Sequence, residues 1–133
     1  MNYLLDVNVL VAWGWSDHSD HDRAARWIGA IMQRRSDWTF TSAIPQIGFV
    51  RVSVQRSAGE VTPEIAGPTL AGMLRRLAPR HRFLPDDREG ITWPPWCRSA
   101  SRTTDAHLLL LAQAHDARLA TLDNGIPGAF LIP

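Results

Sequence analysis

Three aspartates, each beside a short apolar run, are the residues of this chain best suited to chemistry. Asp6 follows the run 3–5, Asp105 opens the run 106–111, and Asp123 follows the run 119–122. A carboxylate at the carboxyl end of a buried strand lies where open α/β sheets bind ligands. Three carboxylates in one pocket repel each other, and a divalent cation relieves that repulsion most directly. The pattern therefore predicts metal-dependent chemistry on phosphate groups.

Strands and helices alternate along the chain, and they have to bring these carboxylates together. Apolar runs with turn residues at their ends predict strands over residues 3–6, 38–41, 82–84, 118–122 and 130–132. Apolar residues at helical spacing predict helices over 7–13, 24–35, 44–52, 63–76 and 105–115. Ser42, Thr62 and either Thr103 or Thr104 are the expected caps of the last three helices. This alternation predicts an α/β fold, with a parallel sheet flanked by helices on both faces.

Size and composition restrict the class of protein. A chain of 133 residues fits one domain, and no apolar stretch is long enough to span a bilayer. No signal-peptide pattern opens the sequence, so we expect no membrane association and a cytoplasmic protein. The 14 basic and 13 acidic residues nearly balance, so any nucleic-acid binding must come from a local patch. All the basic residues are arginine, which suits bidentate phosphate contacts but also reflects codon composition.

Three segments carry a resemblance to a known family. Residues 4–10, 104–108 and 120–126 resemble the PIN-domain family, most closely the VapC-type toxin ribonucleases of bacterial toxin–antitoxin pairs. Residues 41–52 and 18–27 look like further segments of that family, so the similarity covers essentially the whole chain. The resemblance implies one PIN domain over residues 1–133 and RNA cleavage with Mg²⁺ or Mn²⁺. It also implies a homodimer, a small cognate antitoxin, and tRNA or rRNA as the target.

Carried over residue by residue, the resemblance assigns roles to particular side chains. Asp6, Asp105 and Asp123 match the family's acidic positions, and Asn8 and Thr121 match polar neighbours of the site. Asp6 and Asp105 are expected to hold metal directly or through water, and Asp123 either holds a second metal or orients a metal-bound water. Whether one metal or two is bound stays open.

One position departs from the family pattern. Gln46 stands where the family usually has a glutamate, in the helix after the second strand. Glutamine keeps the shape of glutamate but loses its charge, so we expect reduced rather than absent activity. Glu60 or Glu64 would compensate only if the intervening turn folds back.

Several of these residues also have ordinary structural interpretations. Asp105 suits the first turn of a helix, and Asp123 before Asn124 suits a turn. His18 and His21 are spaced to share a metal, yet their polar surroundings favour a surface or capping role.

Arginines and tryptophans are the candidates for RNA contacts. The arginines that flank the Gln46 helix and the start of the Asp105 helix are expected at the rim of the pocket: Arg51, Arg56, Arg98 and Arg102. An ordinary solvated face is their alternative. The tryptophans that could stack on bases, but which we expect to pack in the core or a dimer surface, are Trp13, Trp15, Trp27 and Trp38.

Three hypotheses about function fit this sequence. The leading hypothesis is a metal-dependent endoribonuclease that is the toxin of a toxin–antitoxin pair. The second is a degenerate PIN module that binds RNA or a protein partner without cutting it, because Gln46 lacks the usual charge. A structure-specific DNA nuclease is less favoured, because the chain has no additional DNA-clamping region.

Overall fold

A computed structural model describes all residues from 1 to 133. The strands are β1 Asn2–Leu5, β2 Trp38–Thr41, β3 His81–Phe83, β4 Arg118–Thr121 and β5 Phe130–Leu131. The helices are α1 Val7–Gly14, α2 His21–Gln33, α3 Ala43–Arg56, α4 Pro63–Leu77 and α5 Thr103–Ala114, with a 3₁₀ turn at Ala100–Arg102. Every predicted strand and helix is present, with ends shifted by a few residues.

All five strands are parallel and lie in the order β3-β2-β1-β4-β5. The chain builds the sheet outward from β1 to one side and then returns to place β4 on the other side of β1. The carboxyl ends of β1 and β4 therefore flank the topological switch point, where open α/β sheets leave a crevice for ligands. Asp6 directly follows β1, and Thr121 is the last residue of β4.

Two apolar cores cover the two faces of the sheet. Tyr3 and Leu5 pack with helices α1 to α4, while Leu4 and Leu119 pack with α5 on the opposite face. Successive residues of a strand point to opposite faces, so this continuous apolar run is buried on both sides. The predicted fold class, a parallel sheet with helices on both faces, is confirmed.

A glycine brings α3 close to α1 beside the end of β1. A Cβ atom built on Gly48 would lie 2.5 Å from Cγ2 of Val7, a distance that real Cβ atoms do not tolerate. Val7 is the first residue of α1 and directly follows Asp6. Gly48 therefore sets how closely α3 approaches the aspartate at the strand end.

The predicted helix caps are only partly correct. Ser42 and Thr62 do occupy the N-cap positions of α3 and α4, but neither hydroxyl makes a capping hydrogen bond. The prediction of Thr103 or Thr104 as the cap of α5 is wrong, because Arg102 lies at that position and Thr103 begins the helix. The preceding 3₁₀ turn explains this: the Thr103 hydroxyl donates to the Ala100 carbonyl at 2.8 Å.

Residues 84–99 contain no regular secondary structure, as the prolines in this stretch predict. This segment is held to α5 by a hydrogen bond of 2.6 Å between Asp86 and His107. None of the helices combines the length and apolar character needed to cross a membrane.

Candidate active site

Asp6 is buried at the point where β1 passes into α1. Its backbone N–H donates to the Ala120 carbonyl at 3.0 Å, which continues the pairing of β1 with β4. Its side chain caps α1, because Oδ1 accepts a hydrogen bond of 2.7 Å from the Val7 N–H. Oδ2 accepts a second bond of 2.7 Å from the Thr121 hydroxyl. Asp6 is only 4% exposed, so both bonds hold its carboxylate in one orientation.

Thr121 links the ends of β1 and β4. Besides donating to Asp6, its hydroxyl oxygen accepts from Nδ2 of Asn8 and from the N–H of Asp123, both at 3.1 Å. Oδ1 of Asn8 in turn accepts from the Leu122 N–H at 3.1 Å. The two polar residues predicted to support the site therefore form one hydrogen-bonded network around Asp6.

The other two aspartates lie at the edge of this network. Asp105 is half-buried in the first turn of α5. Asp123 is exposed after β4, and its Oδ1 accepts the Gly125 N–H at 2.8 Å, which forms the turn that the sequence suggested. Oδ2 of Asp123 makes no hydrogen bond to protein and is free for a ligand.

An open cavity of about 330 Å³ lies beside Asp6 and Asp105. Its lining residues come from α1, the loop before α2, α3 and the start of α5: Asp6, Val7, Asn8, Val11, His18, Arg51, Val52, Thr104 and Asp105. Asp123 does not line it, but it lies close enough for its charge to act on both other aspartates. The fold therefore brings the three predicted acids into one region at the switch point.

Burial and mutual repulsion perturb these carboxyl groups. Burial raises the pKa of Asp6 to about 6, against the opposing effect of the hydrogen bonds from Thr121 and Val7. The charges of Asp105 and Asp123 raise it further. Burial also raises the pKa of Asp105, the charge of Asp123 adds to the increase, and nearby Arg102 counteracts it. Carboxylates that repel each other in a cleft are stabilised by a cation.

The donor set suits a hydrated divalent ion better than a closed metal cage. No three His, Cys, Asp or Glu side chains are grouped closely enough to enclose an ion by themselves. Mg²⁺, however, commonly binds one or two carboxylates and keeps several waters. Each oxygen of Asp6 accepts one hydrogen bond from protein and retains a further lone pair, and Asp6 lines the cavity. Asp6 and Asp105 can therefore hold such an ion with water completing its shell.

Gln46 does not line the cavity. Its Nε2 donates to the Thr41 hydroxyl at 3.0 Å, and that hydroxyl lies 2.7 Å from Nε2 of His81. Burial lowers the pKa of His81, so burial disfavours a positive charge on the ring that contacts Thr41. Glu60 and Glu64 are exposed and do not line the cavity either, so neither takes the place of a missing carboxylate.

The four predicted RNA-contacting arginines have different environments. Arg51 is exposed, lines the cavity and has no hydrogen-bond or ion-pair partner. Arg56 pairs with Asp17 at 3.1 Å. Arg102 stacks on Trp96 and donates to the Gly125 carbonyl, which connects the start of α5 to the loop after β4.

Arg98 lies away from the acidic cavity. Its Nε donates to the Pro95 carbonyl at 3.2 Å, and it lines a separate cavity near Trp93. Only Arg51 therefore combines a free guanidinium group with a place on the cavity wall.

His18 is a residue of the cavity that the sequence pattern assigned to the surface or to capping. Its Nδ1 does accept the Asp20 N–H at 3.0 Å, and the residue also lines the cavity. His21 bonds to the Ala12 carbonyl at 2.9 Å, so the two histidines do not form a metal pair. No local sequence signal distinguishes His18 from a surface histidine.

Trp13 and Trp27 are buried, in agreement with the packing role expected for the tryptophans.

Comparisons with known proteins find sequence relatives along most of this chain. The PIN domain family model matches residues 3–129. Ribonuclease VapC39 of Mycobacterium tuberculosis is 41% identical over 129 residues, covering 92% of this chain and 89% of the relative. Ribonuclease VapC38 of the same species is 36% identical over 124 residues, covering 92% and 86%.

Solved structures show the same fold at low sequence identity. The crystal structure of Mycobacterium tuberculosis VapC20, described as a sarcin-ricin loop cleaving toxin, has a TM-score of 0.62 at 15% identity and covers 98% of this chain and 99% of its own. Rickettsia felis VapBC2, bound to a promoter DNA fragment, has a TM-score of 0.59 at 16% identity and covers 98% and 97%.

Proposed function

Because this chain belongs to the PIN-domain family and, within it, to the VapC ribonucleases, we propose that it hydrolyses RNA phosphodiester bonds as the toxin of a toxin–antitoxin pair. One observation of the structure carries the proposal. Asp6 and Asp105 share an open cavity at the carboxyl ends of parallel strands, with Asp123 close enough to repel both. Such a cavity attracts a divalent cation, and a cation there attracts the phosphates of RNA.

The chain's own residues prepare this cavity for hydrolysis. Thr121 and the Val7 N–H fix both oxygens of Asp6, so its lone pairs are oriented before any ligand arrives. Asp105 supplies a second oxygen donor from the first turn of α5. When bound by these two carboxylates, Mg²⁺ or Mn²⁺ would act as a Lewis acid on the scissile phosphate and favour in-line attack by water.

Asp123 lies outside the cavity lining, but its charge acts on Asp6 and Asp105 and one of its carboxylate oxygens is unpaired. Its backbone is fixed by Thr121 and one carboxylate oxygen is fixed by Gly125, while Oδ2 remains free. We assign Asp123 the role of orienting that water and accepting its proton. Water adds to the phosphorus and the 3′-oxygen leaves, so the products carry a 3′-hydroxyl and a 5′-phosphate, as the family resemblance implies.

Gln46 is expected to lower activity without removing it. Its amide bonds to Thr41 and adds no negative charge beside the cavity, so the cation is held mainly by Asp6 and Asp105. A second candidate function follows from the same observation: a PIN module that binds RNA or a protein partner but does not cut. The two functions differ in whether divalent cations produce RNA cleavage.

We further propose the partners that belong to this function. The name of VapBC2 describes a complex of toxin and antitoxin, and by analogy this chain would be held inactive by a cognate antitoxin. We also propose a homodimer that acts in the cytoplasm, and tRNA or rRNA as the target.

Metal-dependent cleavage tests the proposal. Purified protein should cut RNA but not DNA of the same sequence when Mg²⁺ or Mn²⁺ is present, and EDTA should stop the reaction. Asp6→Asn and Asp105→Asn should abolish cleavage, while Asp87→Asn, which removes an exposed acid elsewhere, should leave it intact. RNA binding without cleavage under all these conditions would favour the degenerate module.

A further inference from the structure

The loop that carries His18 is fixed against α3. Asp17 pairs with Arg56 at 3.1 Å, and the Arg56 guanidinium lies 5.1 Å from the ring centroid of Trp15. Nε1 of Trp15 donates to the Ser53 hydroxyl at 3.0 Å. Arg56 was expected to contact RNA, but in the structure it holds this loop in place. His18 therefore has a defined position relative to α3.

The hydrogen bond to His18 determines which of its ring nitrogens carries the proton. A backbone N–H can only donate, so Nδ1, which receives the Asp20 N–H at 3.0 Å, must present a lone pair. A neutral imidazole then carries its proton on Nε2. Nε2 of His18 makes no hydrogen bond to protein, and His18 lines the cavity. The ring of this cavity-lining residue thus has an N–H donor that no protein group uses.

Arg51 adds a positively charged side chain to the lining of the same cavity. It is exposed, lines the same cavity as His18, and has no acidic partner in the protein. Asp6 and Asp105 line the cavity too, so its lining combines two acids with two residues that have unpaired donors. An RNA chain brings several phosphates to such a site, and only the scissile phosphate would lie at the divalent metal ion. A neighbouring phosphate needs donors and positive charge instead.

From this arrangement we propose that His18 and Arg51 form a phosphate-binding subsite for the RNA backbone beside the scissile bond. His18 acts as a neutral donor through Nε2, and Arg51 acts as a charged donor. The subsite deepens the proposed function, on which it rests, by naming where a non-scissile phosphate of the substrate lies. Both residues would contact substrate directly.

Paired substitutions separate the two nitrogens of His18. Asparagine places an amide near Nδ1 and keeps a group that can accept the Asp20 N–H, but it does not reach into the cavity. Glutamine places its amide near Nε2 and keeps the donor. His18→Asn should therefore weaken RNA binding by about tenfold, the lower end of what a hydrogen bond to a charged group contributes, and His18→Gln should restore most of it.

Binding is measured by fluorescence anisotropy with a labelled single-stranded RNA of about twelve nucleotides in the presence of Mg²⁺. Every variant used for binding is made on an Asp6→Asn background, which prevents cleavage of the probe, whereas the KM measurement uses His18→Asn alone. Arg51→Ala should weaken binding and reduce the slope of log affinity against log salt by about 0.7, since it removes one phosphate-neutralising charge. The His18 variants should leave that slope unchanged, because the donor is neutral. His115→Asn, an exposed histidine at the end of α5, is the matched control.

Defined results would overturn the subsite. They are His18→Asn binding as tightly as His115→Asn, His18→Gln binding as weakly as His18→Asn, or no RNA binding on the Asp6→Asn background. A folding defect cannot imitate the expected pattern. His18→Asn keeps an acceptor for the Asp20 N–H, and it is nevertheless the variant that is expected to bind RNA poorly.

The activity arm separates this inference from the function on which it rests. Metal-dependent cleavage by the wild type, with no effect of His18→Asn on KM, would leave the proposed function standing and remove the subsite. RNA binding that depends on His18, with no cleavage by the wild type, would support the subsite and remove the proposed function.

Discussion

Asp6→Asn should make the metal-free protein more stable at neutral pH while it abolishes cleavage. In the folded protein the pKa of Asp6 is raised from 3.8 to about 6, chiefly by burial. A carboxyl group with a raised pKa binds its proton more tightly in the folded state than in the unfolded state. Its contribution to stability is therefore complete below pH 3.8 and is lost as the pH rises to about 6. A shift of this size corresponds to about 3 kcal/mol.

Asparagine removes the charge and keeps the hydrogen bond at the start of α1, because its Oδ1 can accept the Val7 N–H. The Thr121 hydroxyl oxygen already accepts from Asn8 and Asp123, so the asparagine Nδ2 can donate to it only if one of those two bonds is given up. The Thr121 proton then has another acceptor in Oδ1 of Asn8, which lies 3.4 Å away. The rearranged bond offsets part of the gain by an amount that does not vary with pH, so the pH dependence of the stability difference carries the test.

Denaturant unfolding in EDTA, over a range from about pH 4 to pH 8, measures the effect. The stability of Asp6→Asn relative to wild type should increase by about 3 kcal/mol across the interval between the two pKa values and stay constant above it. Mg²⁺ should then stabilise the wild type more than the variant. A difference between the two proteins that does not vary with pH would refute the reasoning, since it would mean that the carboxylate is not desolvated.

Three other substitutions test separate parts of the site. Thr121→Val should destabilise the fold by about 1–3 kcal/mol and shift the pH–rate profile to higher pH, because the hydroxyl lowers the pKa of the buried carboxyl, whereas Thr121→Ser should do neither. Gln46→Glu should raise divalent-cation affinity by about tenfold or more and increase cleavage, measured by calorimetry and RNA assay; no gain beyond that of Gln55→Glu on the same helix would place this position outside the site. Gly48→Ala should destabilise the packing of α3 on α1 by about 1–3 kcal/mol, while Gly29→Ala, which meets no atom within 4 Å, should be neutral or stabilise α2 by up to about 1 kcal/mol in thermal unfolding.

The sequence predicted the fold because strand and helix positions are determined by local periodicity. Tyr3, Leu4 and Leu5 form an uninterrupted apolar run because both faces of β1 are covered, and the residue after such a run must reach the end of the sheet. The apolar runs alone therefore predicted that Asp6 and Asp123 lie at the carboxyl ends of their strands. Thr121 could be named only through the family resemblance, although it links the two strand ends.

What the sequence could not supply depends on contacts between distant residues. The cap of α5 was misplaced because a 3₁₀ turn cannot be distinguished from the helix that it enters. Arg51 and Arg56 have the same chemistry and lie on one helix, yet only the pairing of Arg56 with Asp17 separates their roles. His18 approaches the acids through a loop, and no spacing rule relates it to them.

The position of Asp6 at the start of α1 has a genetic consequence. The carboxylate that the proposed reaction requires is also the group that caps this helix, and asparagine caps helices as well as aspartate does. A single nucleotide change converts an aspartate codon into an asparagine codon. Cells that escape a lethal copy of this gene by that route would still make a folded product, which could compete with active copies for the antitoxin. Loss of activity through this codon would therefore leave a folded competitor for the antitoxin, whereas loss through a truncated chain would not.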